Sequence, residues 1–328
     1  MMCFASILVF SGVAHSQPPS QAPTFHAQTQ LVLVDVLARD LKTGLPVRNL
    51  QRDDFRVFDN KREVPLATFD SGTHASIRPL TLWFIVICNE GGKGEGGGDA
   101  SGWFSGRESL FRPALDHLDR GDRAAVGHWC DNGEANLDLL PTANRDAVIA
   151  KLTETLQPIA FEHHRSDDRP GELTLQRLVR MILDQTHQSQ PQPLPILLFL
   201  HTDITGMPRH EADALVDEVL ETSGFAFGIK DAAAPGFPRG HFFGEQNSVL
   251  HYFADQTAGA YYSVPPDQYP KTVENILEQL HARYELGFKP PKIDGKRHQL
   301  KVEFTGSAKS LANTTRLRYR PEYIPSMH

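Results

Sequence analysis

Cysteine is scarce in this chain: three among 328 residues, one of which, Cys3, lies in the apolar opening stretch. Cys88 and Cys130 are then the whole set downstream, too few for a disulfide-framework domain or a four-cysteine zinc site. Excess basic charge is missing too. There are 33 Lys and Arg against 40 Asp and Glu, giving a formal net charge of −7 and an isoelectric point near 6.1. A field of that sign attracts neither nucleic acid nor an anionic lipid surface. The Arg-rich stretch Arg316-Leu317-Arg318-Tyr319-Arg320 alternates with apolar residues and reads as the solvent face of a strand. No apolar run reaches the roughly 20 residues that cross a bilayer as a helix.

Complete catalytic signatures are lacking as well. The glycine-rich loop Gly91 to Gly98 carries Lys93, but no Ser or Thr follows it as a phosphate loop requires. Gly102-Trp103-Phe104-Ser105-Gly106 does not place serine at the centre of a nucleophile elbow. His210-Glu211 has no second histidine at metalloprotease spacing. His163, His164, Asp167 and Asp168 form a polar cluster in an expected loop. His128 and His201 are expected to approach each other at strand ends, as a ligand pair or as ordinary polar residues.

What is present is a globular composition, 40% hydrophobic and 22% charged, with a mean hydropathy of −0.35. Residues 1–16 read as a signal peptide: an apolar run, then small residues around Ala14-His15-Ser16, without a preceding Lys or Arg. Export to the periplasm or beyond is the expectation. Residues 17–27 form a polar, Pro-rich leader.

Residues 28–75 read as β structure. Leu31 to Leu37 is rich in branched residues, Asp54 to Phe58 alternates, and Val64 to Phe69 follows the turn at Asp59-Asn60-Lys61. Residues 76–282 change style. Leu82 to Cys88, Pro195 to Leu200 and Phe225 to Ile229 are apolar without alternation, as in strands covered on both faces. Arg123 to Trp129 is a shorter candidate. Between them Ala212, Leu215, Val216, Val219 and Leu220 fall at helical spacing, as do Val273, Ile276, Leu277, Leu280 and Tyr284. Weaker helical sets run through Phe111 to Leu118 and Leu175 to Ile182. Strands alternating with amphipathic helices predict an α/β, doubly wound, mostly parallel sheet. Residues 283–325 return to β alternation at Leu300, Val302 and Phe304 and again at Thr315 to Tyr319. Head and tail are each too short to bury a core alone, so the expectation is one small β-sandwich made from both, with the α/β domain inserted.

Several segments carry a resemblance. The head has Val34-Asp35-Val36, then Gly44-Leu45-Pro46-Val47, then Leu50 and Asp54-Phe55-Arg56-Val57. Pro79-Leu80-Thr81 opens the first long strand. Arg283-Tyr284-Glu285-Leu286-Gly287-Phe288 and Gly295 to Val302 close the chain. Together, over roughly 28 to 325, these resemble the acidobacterial VWFA-related domain family, which is von Willebrand factor A-like.

The resemblance implies a metal-ion-dependent adhesion site at the C-terminal edge of the sheet, built from D-x-S-x-S, a Thr and a later Asp. Hard oxygen ligands of that kind suit Mg²⁺. The sequence departs from the pattern. The Asp position holds Cys88 or Asn89, with Glu90 next, and no serine follows at either ligand spacing. Leu173 occupies the Thr position unless the frame shifts by one to Thr174. Asp203 alone matches. The implied site is therefore degenerate, and no cofactor is expected, Mg²⁺ being admissible only if Glu90 and Asp99 rebuild it.

In the strand order that the resemblance implies, the strands ending at Cys88 and Cys130 are neighbours. A disulfide between them would staple the vacated edge; two buried thiols packing as small hydrophobes is the other reading. The expected function is an exported, non-enzymatic interaction module. It would recognise a protein or cell-envelope ligand through edge loops at 89–107, 131–136, 161–172, 201–208 and 231–246, with Phe237, Phe242 and Phe243 as candidate anchors. A metal-dependent adhesin with a rebuilt site and a hydrolase at the same edge are the alternatives.

Overall fold

The computed structural model describes residues 31–72, 78–88, 111–130, 134–156, 172–201, 207–232 and 249–325. The strands are β1 (Val32–Asp40), β2 (Phe55–Asp59), β3 (Arg62–Val64), β4 (Leu66–Ser71), β5 (Leu80–Cys88), β6 (Arg123–Cys130), β7 (Ala135–Thr142), β8 (Leu194–His201), β9 (Phe225–Asp231), β10 (Tyr261–Val264), β11 (Tyr284–Phe288), β12 (His298–Phe304), β13 (Thr315–Arg318) and β14 (Glu322–Tyr323). The helices are α1 (Phe111–Asp116), α2 (Arg145–Leu156), α3 (Glu172–Gln188), α4 (Arg209–Glu221), α5 (Val249–Gln256) and α6 (Tyr269–His281).

The six-stranded sheet runs β10-β9-β8-β5-β6-β7. All neighbours in it are parallel except β7, which is antiparallel to β6. Counted within the sheet, this is the doubly wound order 3-2-1-4-5-6, with the edge strand reversed. The non-alternating run in β5 follows from cover on both faces. Leu82, Phe84 and Val86 share a core with α1, α2 and α6. Trp83, Ile85 and Ile87 share another with α3, α4 and α5. Each fully buried side chain of this size stabilises the fold by about 1.5–3 kcal/mol. The mixed α/β class with a mostly parallel sheet is thus present. Among the described residues no helix is long and apolar enough to cross a membrane.

The head and tail strands build two further sheets, β13-β1-β11-β4 and β14-β12-β2-β3. Their inward faces share one core, including Val34, Val36, Phe55, Val57, Leu286, Phe288, Leu300 and Val302. Leu31–His328 group as one compact unit.

The segments that carried the resemblance prove to be internal clamps. Asp35 of β1 is buried. Its Oδ1 accepts from Arg283 Nε at 3.0 Å and its Oδ2 from Arg78 at 2.8 Å. Arg283 also donates to the carbonyls of Leu280 and Arg78, at 2.8 and 2.6 Å, so the tail, the last helix and the entry to β5 meet at one guanidinium. The Tyr284 hydroxyl donates to the Val47 carbonyl at 2.9 Å and accepts from the Leu50 amide at 3.1 Å. Asp54 caps its own turn through the Gln51 amide at 2.8 Å and accepts from Ser307 at 2.9 Å. His298 Nδ1 meets Asp59 at 2.8 Å.

Arg320 is buried and donates to the carbonyls of Leu220 and Leu33, at 2.9 and 2.7 Å. Burial pushes its guanidinium down to about 10. Arg316, Arg318 and Arg320 are therefore not one solvated face: Arg316 is exposed, whereas Arg320 is a tie between the tail, α4 and β1.

Three sequence expectations need correction. The strand expected over Val64 to Phe69 is two strands in different sheets, β3 and β4, parted at Pro65, which has no N–H to give a ladder. The loop expected over 131–136 ends earlier, because Ala135 and Asn136 already pair with Trp129 and His128. Strands β7 and β10 and helices α2 and α5 were not anticipated. Among the described side chains of α2 only Val148 and Leu152 are fully buried, a stripe too thin to stand out as periodic.

Candidate functional site

The C-terminal ends of β5, β6 and β8 form the edge where an open α/β sheet presents its ligand-binding loops. Cys88 ends β5 and Cys130 ends β6, and the two are direct register partners in the parallel ladder. Cys130 is buried and disulfide-bonded. Leu173 and Thr174 lie in the first turn of α3, with side chains outside the described residues. Asn89, Glu90, Asp203, Phe237, Phe242 and Phe243 also fall outside the described residues.

Two residues before Cys130, on the same side of β6, His128 points toward the edge strand. Its Nδ1 contacts both carboxylate oxygens of Asp138 on β7, at 3.0 and 2.9 Å. Thr155 of α2 reaches the same carboxylate at 3.4 Å. The register shifts between Val126 and Gly127, opposite Leu137 to Leu139, and this irregularity falls beside Asp138. His128 Nε2 is buried and has no hydrogen-bond partner among the described residues. Glu134 Oε1 lies 3.6 Å from it. Burial disfavours the imidazolium, but the Asp138 hydrogen bond and charge, with the Glu134 charge, outweigh it. His128 therefore titrates above its ordinary value.

His128, Cys130 and Glu134 each bring one ligand-type atom into a group within 4.8 Å of one another. No local pattern in the sequence signals the Asp138 contact, which joins β6 to β7. The expected approach of His128 to His201 is not favoured by the topology. β5 lies between β6 and β8, which separates the two backbones by about 10 Å.

A second cluster sits at the opposite end of β6. Asp122 Oδ1 accepts from the Leu80 amide at 2.7 Å, and Oδ2 accepts from the Asp119 amide at 2.9 Å and meets His281 Nε2 at 2.7 Å. Burial raises the Asp122 carboxyl, but His281 and the two amides outweigh it and hold the group below its ordinary value. Each carboxylate oxygen is already engaged in joining β5, β6 and α6, so this cluster is structural.

No protein-family model matches the chain, and no curated protein matches it. Solved structures do. The human COPII-coat protein Sec24c is 11% identical with a TM-score of 0.36, covering 76% of this chain but only 44% of its own length. The vWF domain of the type V pili tip protein Mfa5 from Porphyromonas gingivalis is 10% identical with a TM-score of 0.40, covering 63% of this chain and 96% of that one. The chain is also similar to a von Willebrand factor type A protein from Catenulispora acidiphila, at 12% identity and a TM-score of 0.38, over 85% of this chain and 75% of that one.

Proposed function

We propose that the chain is an exported, non-catalytic interaction module, with a von Willebrand factor A-like α/β domain (76–282) set into a β-sandwich formed by 28–75 and 283–325. It would bind a protein or cell-envelope ligand through the loops at the C-terminal edge of the six-stranded sheet. No divalent cation is needed at that edge in the oxidised chain.

One observation carries this reading. Cys130 is disulfide-bonded at the end of β6, and its register partner at the end of β5 is Cys88. Paired strands lie about 4.8 Å apart, close to the separation that a disulfide bridges. A Cys88–Cys130 bond takes up the position where the first ligand of an adhesion cation would stand. A lasting disulfide also belongs to an oxidising compartment, which supports export and residues 1–16 as a signal peptide.

The test is capture of envelope proteins on the immobilised oxidised chain, with and without EDTA, beside the Phe242→Ala/Phe243→Ala double variant. Capture that persists in EDTA and falls at least tenfold in the variant is the expected result. Capture abolished by EDTA and restored by Mg²⁺ would replace this reading with metal-dependent adhesion. Capture unchanged in the variant would remove the aromatic residues from the interface.

A further inference from the structure

We propose that His128, Cys130 and Glu134 form a zinc site that opens only when the disulfide at Cys130 is reduced, with Asp138 holding the imidazole in place. The proposal stands apart from the interaction reading, which concerns the oxidised chain.

The geometry supplies the parts of a zinc centre. Nδ1 of His128 is held by Asp138 at 2.9 Å, the carboxylate–histidine arrangement that fixes which nitrogen is free to ligate. The free nitrogen, Nε2, belongs to a side chain that is 9% exposed and has no hydrogen-bond partner among the described residues. A buried polar atom left without a partner is costly, about 1–3 kcal/mol, and is uncommon in folded chains. Glu134 Oε1 lies 3.6 Å from Nε2, and His128, Cys130 and Glu134 each bring one ligand-type atom into a group within 4.8 Å of one another.

Ligands of a tetrahedral Zn²⁺ bound at about 2.0–2.3 Å stand roughly 3.3–3.8 Å apart. The group therefore needs a contraction of at most about 1.5 Å. Most of that movement falls to Glu134, whose side chain is 50% exposed. Sulfur and imidazole ligands select zinc over Mg²⁺, so this is not the oxygen-rich adhesion site. Three protein ligands leave the fourth position to water.

The redox step balances. A dithiol reductant gives two electrons to the S–S bond at Cys130. That bond breaks, an S–S bond forms in the reductant, and the reductant's two protons pass to the two released sulfurs. Zn²⁺ then displaces the proton of Cys130 to solvent as the Zn–S bond forms.

The experiment uses the full chain, oxidised or reduced with a trialkylphosphine. The phosphine takes oxygen from water, and the two protons of that water go to the sulfurs. Co²⁺ is the spectroscopic probe and Zn²⁺ the competitor. The reduced chain is expected to give a sulfur-to-cobalt charge-transfer band, removed by one equivalent of Zn²⁺. Affinity should fall at least tenfold on oxidation and at least tenfold in reduced His128→Gln. Asp138→Asn should weaken binding by about 10–100-fold without abolishing the band. Glu134→Ala alters a half-exposed side chain and replaces His128→Gln if the latter fails to fold; it too should lose at least tenfold. No charge-transfer band in the reduced chain, equal affinity in the oxidised chain, or unchanged affinity in folded Glu134→Ala would overturn the proposal.

Discussion

Asp35 Oδ1 and Arg283 Nε lie 3.0 Å apart, with side chains only 2% and 1% exposed. The pair joins the first strand of the chain to the strand that leaves the α/β unit. Removing one partner of a buried ion pair leaves the other uncompensated, at about 3–5 kcal/mol. Asp35→Ala should therefore lower the unfolding free energy by that amount in a urea titration. A loss under about 1 kcal/mol would show that the surrounding carbonyls satisfy Arg283 without it.

Tyr284 makes a two-sided contact that phenylalanine cannot. Its hydroxyl bridges the Val47 carbonyl and the Leu50 amide. Tyr284→Phe keeps the ring packing and strands that amide, which should cost about 1–3 kcal/mol. The same urea titration measures it, and an unchanged midpoint would count against a structural role for the Gly44 to Leu50 turn.

Asp122 sets an expectation for acid. Its folded carboxyl lies below the ordinary value of 3.8 because His281 and two amides outweigh burial. A depressed carboxyl contributes stability above its unfolded pKa and loses it as pH falls through the lower folded value. The stability gap between the native chain and Asp122→Asn should be full above pH 3.8 and close below it. A gap that does not vary with pH would mean that the charge on Asp122 is not what joins β5, β6 and α6.

If Cys88 and Cys130 are bonded to each other, their replacements cannot be additive. Cys88→Ser, Cys130→Ser and the double variant should each lose about 2–4 kcal/mol under oxidising conditions. Under reducing conditions the three should lie close to the native chain. Additive losses, or a loss confined to one variant, would separate the two sulfurs.

The α/β plan was legible where burial leaves a one-dimensional trace. The apolar runs of β5, β8 and β9 follow from cover on both faces, and the stripes of α4 and α6 follow from cover on one. Strand β7 also left a trace, Leu137 and Leu139 alternating with Asn136 and Asp138, but the run is short and the strand's first two residues fall in the loop expected over 131–136. Helix α2 left almost none, since so few of its side chains reach the core. Partners such as Asp35 and Arg283, or Tyr284 and Leu50, are hundreds of residues apart, and no local pattern pairs them. At the sheet edge the sequence offered only what the resemblance implies, a set of replaced adhesion ligands. It did not show that His128 turns to Asp138, because that contact depends on an irregular β6–β7 register.

The central claim is that the edge of the six-stranded sheet works without a divalent cation in the oxidised chain. Calorimetric titration of Mg²⁺ into the oxidised, full-length chain tests it most directly. The account predicts no saturable heat at millimolar Mg²⁺. Saturable one-site binding that is lost in Asp203→Ala would contradict it and restore a metal-ion-dependent adhesion site.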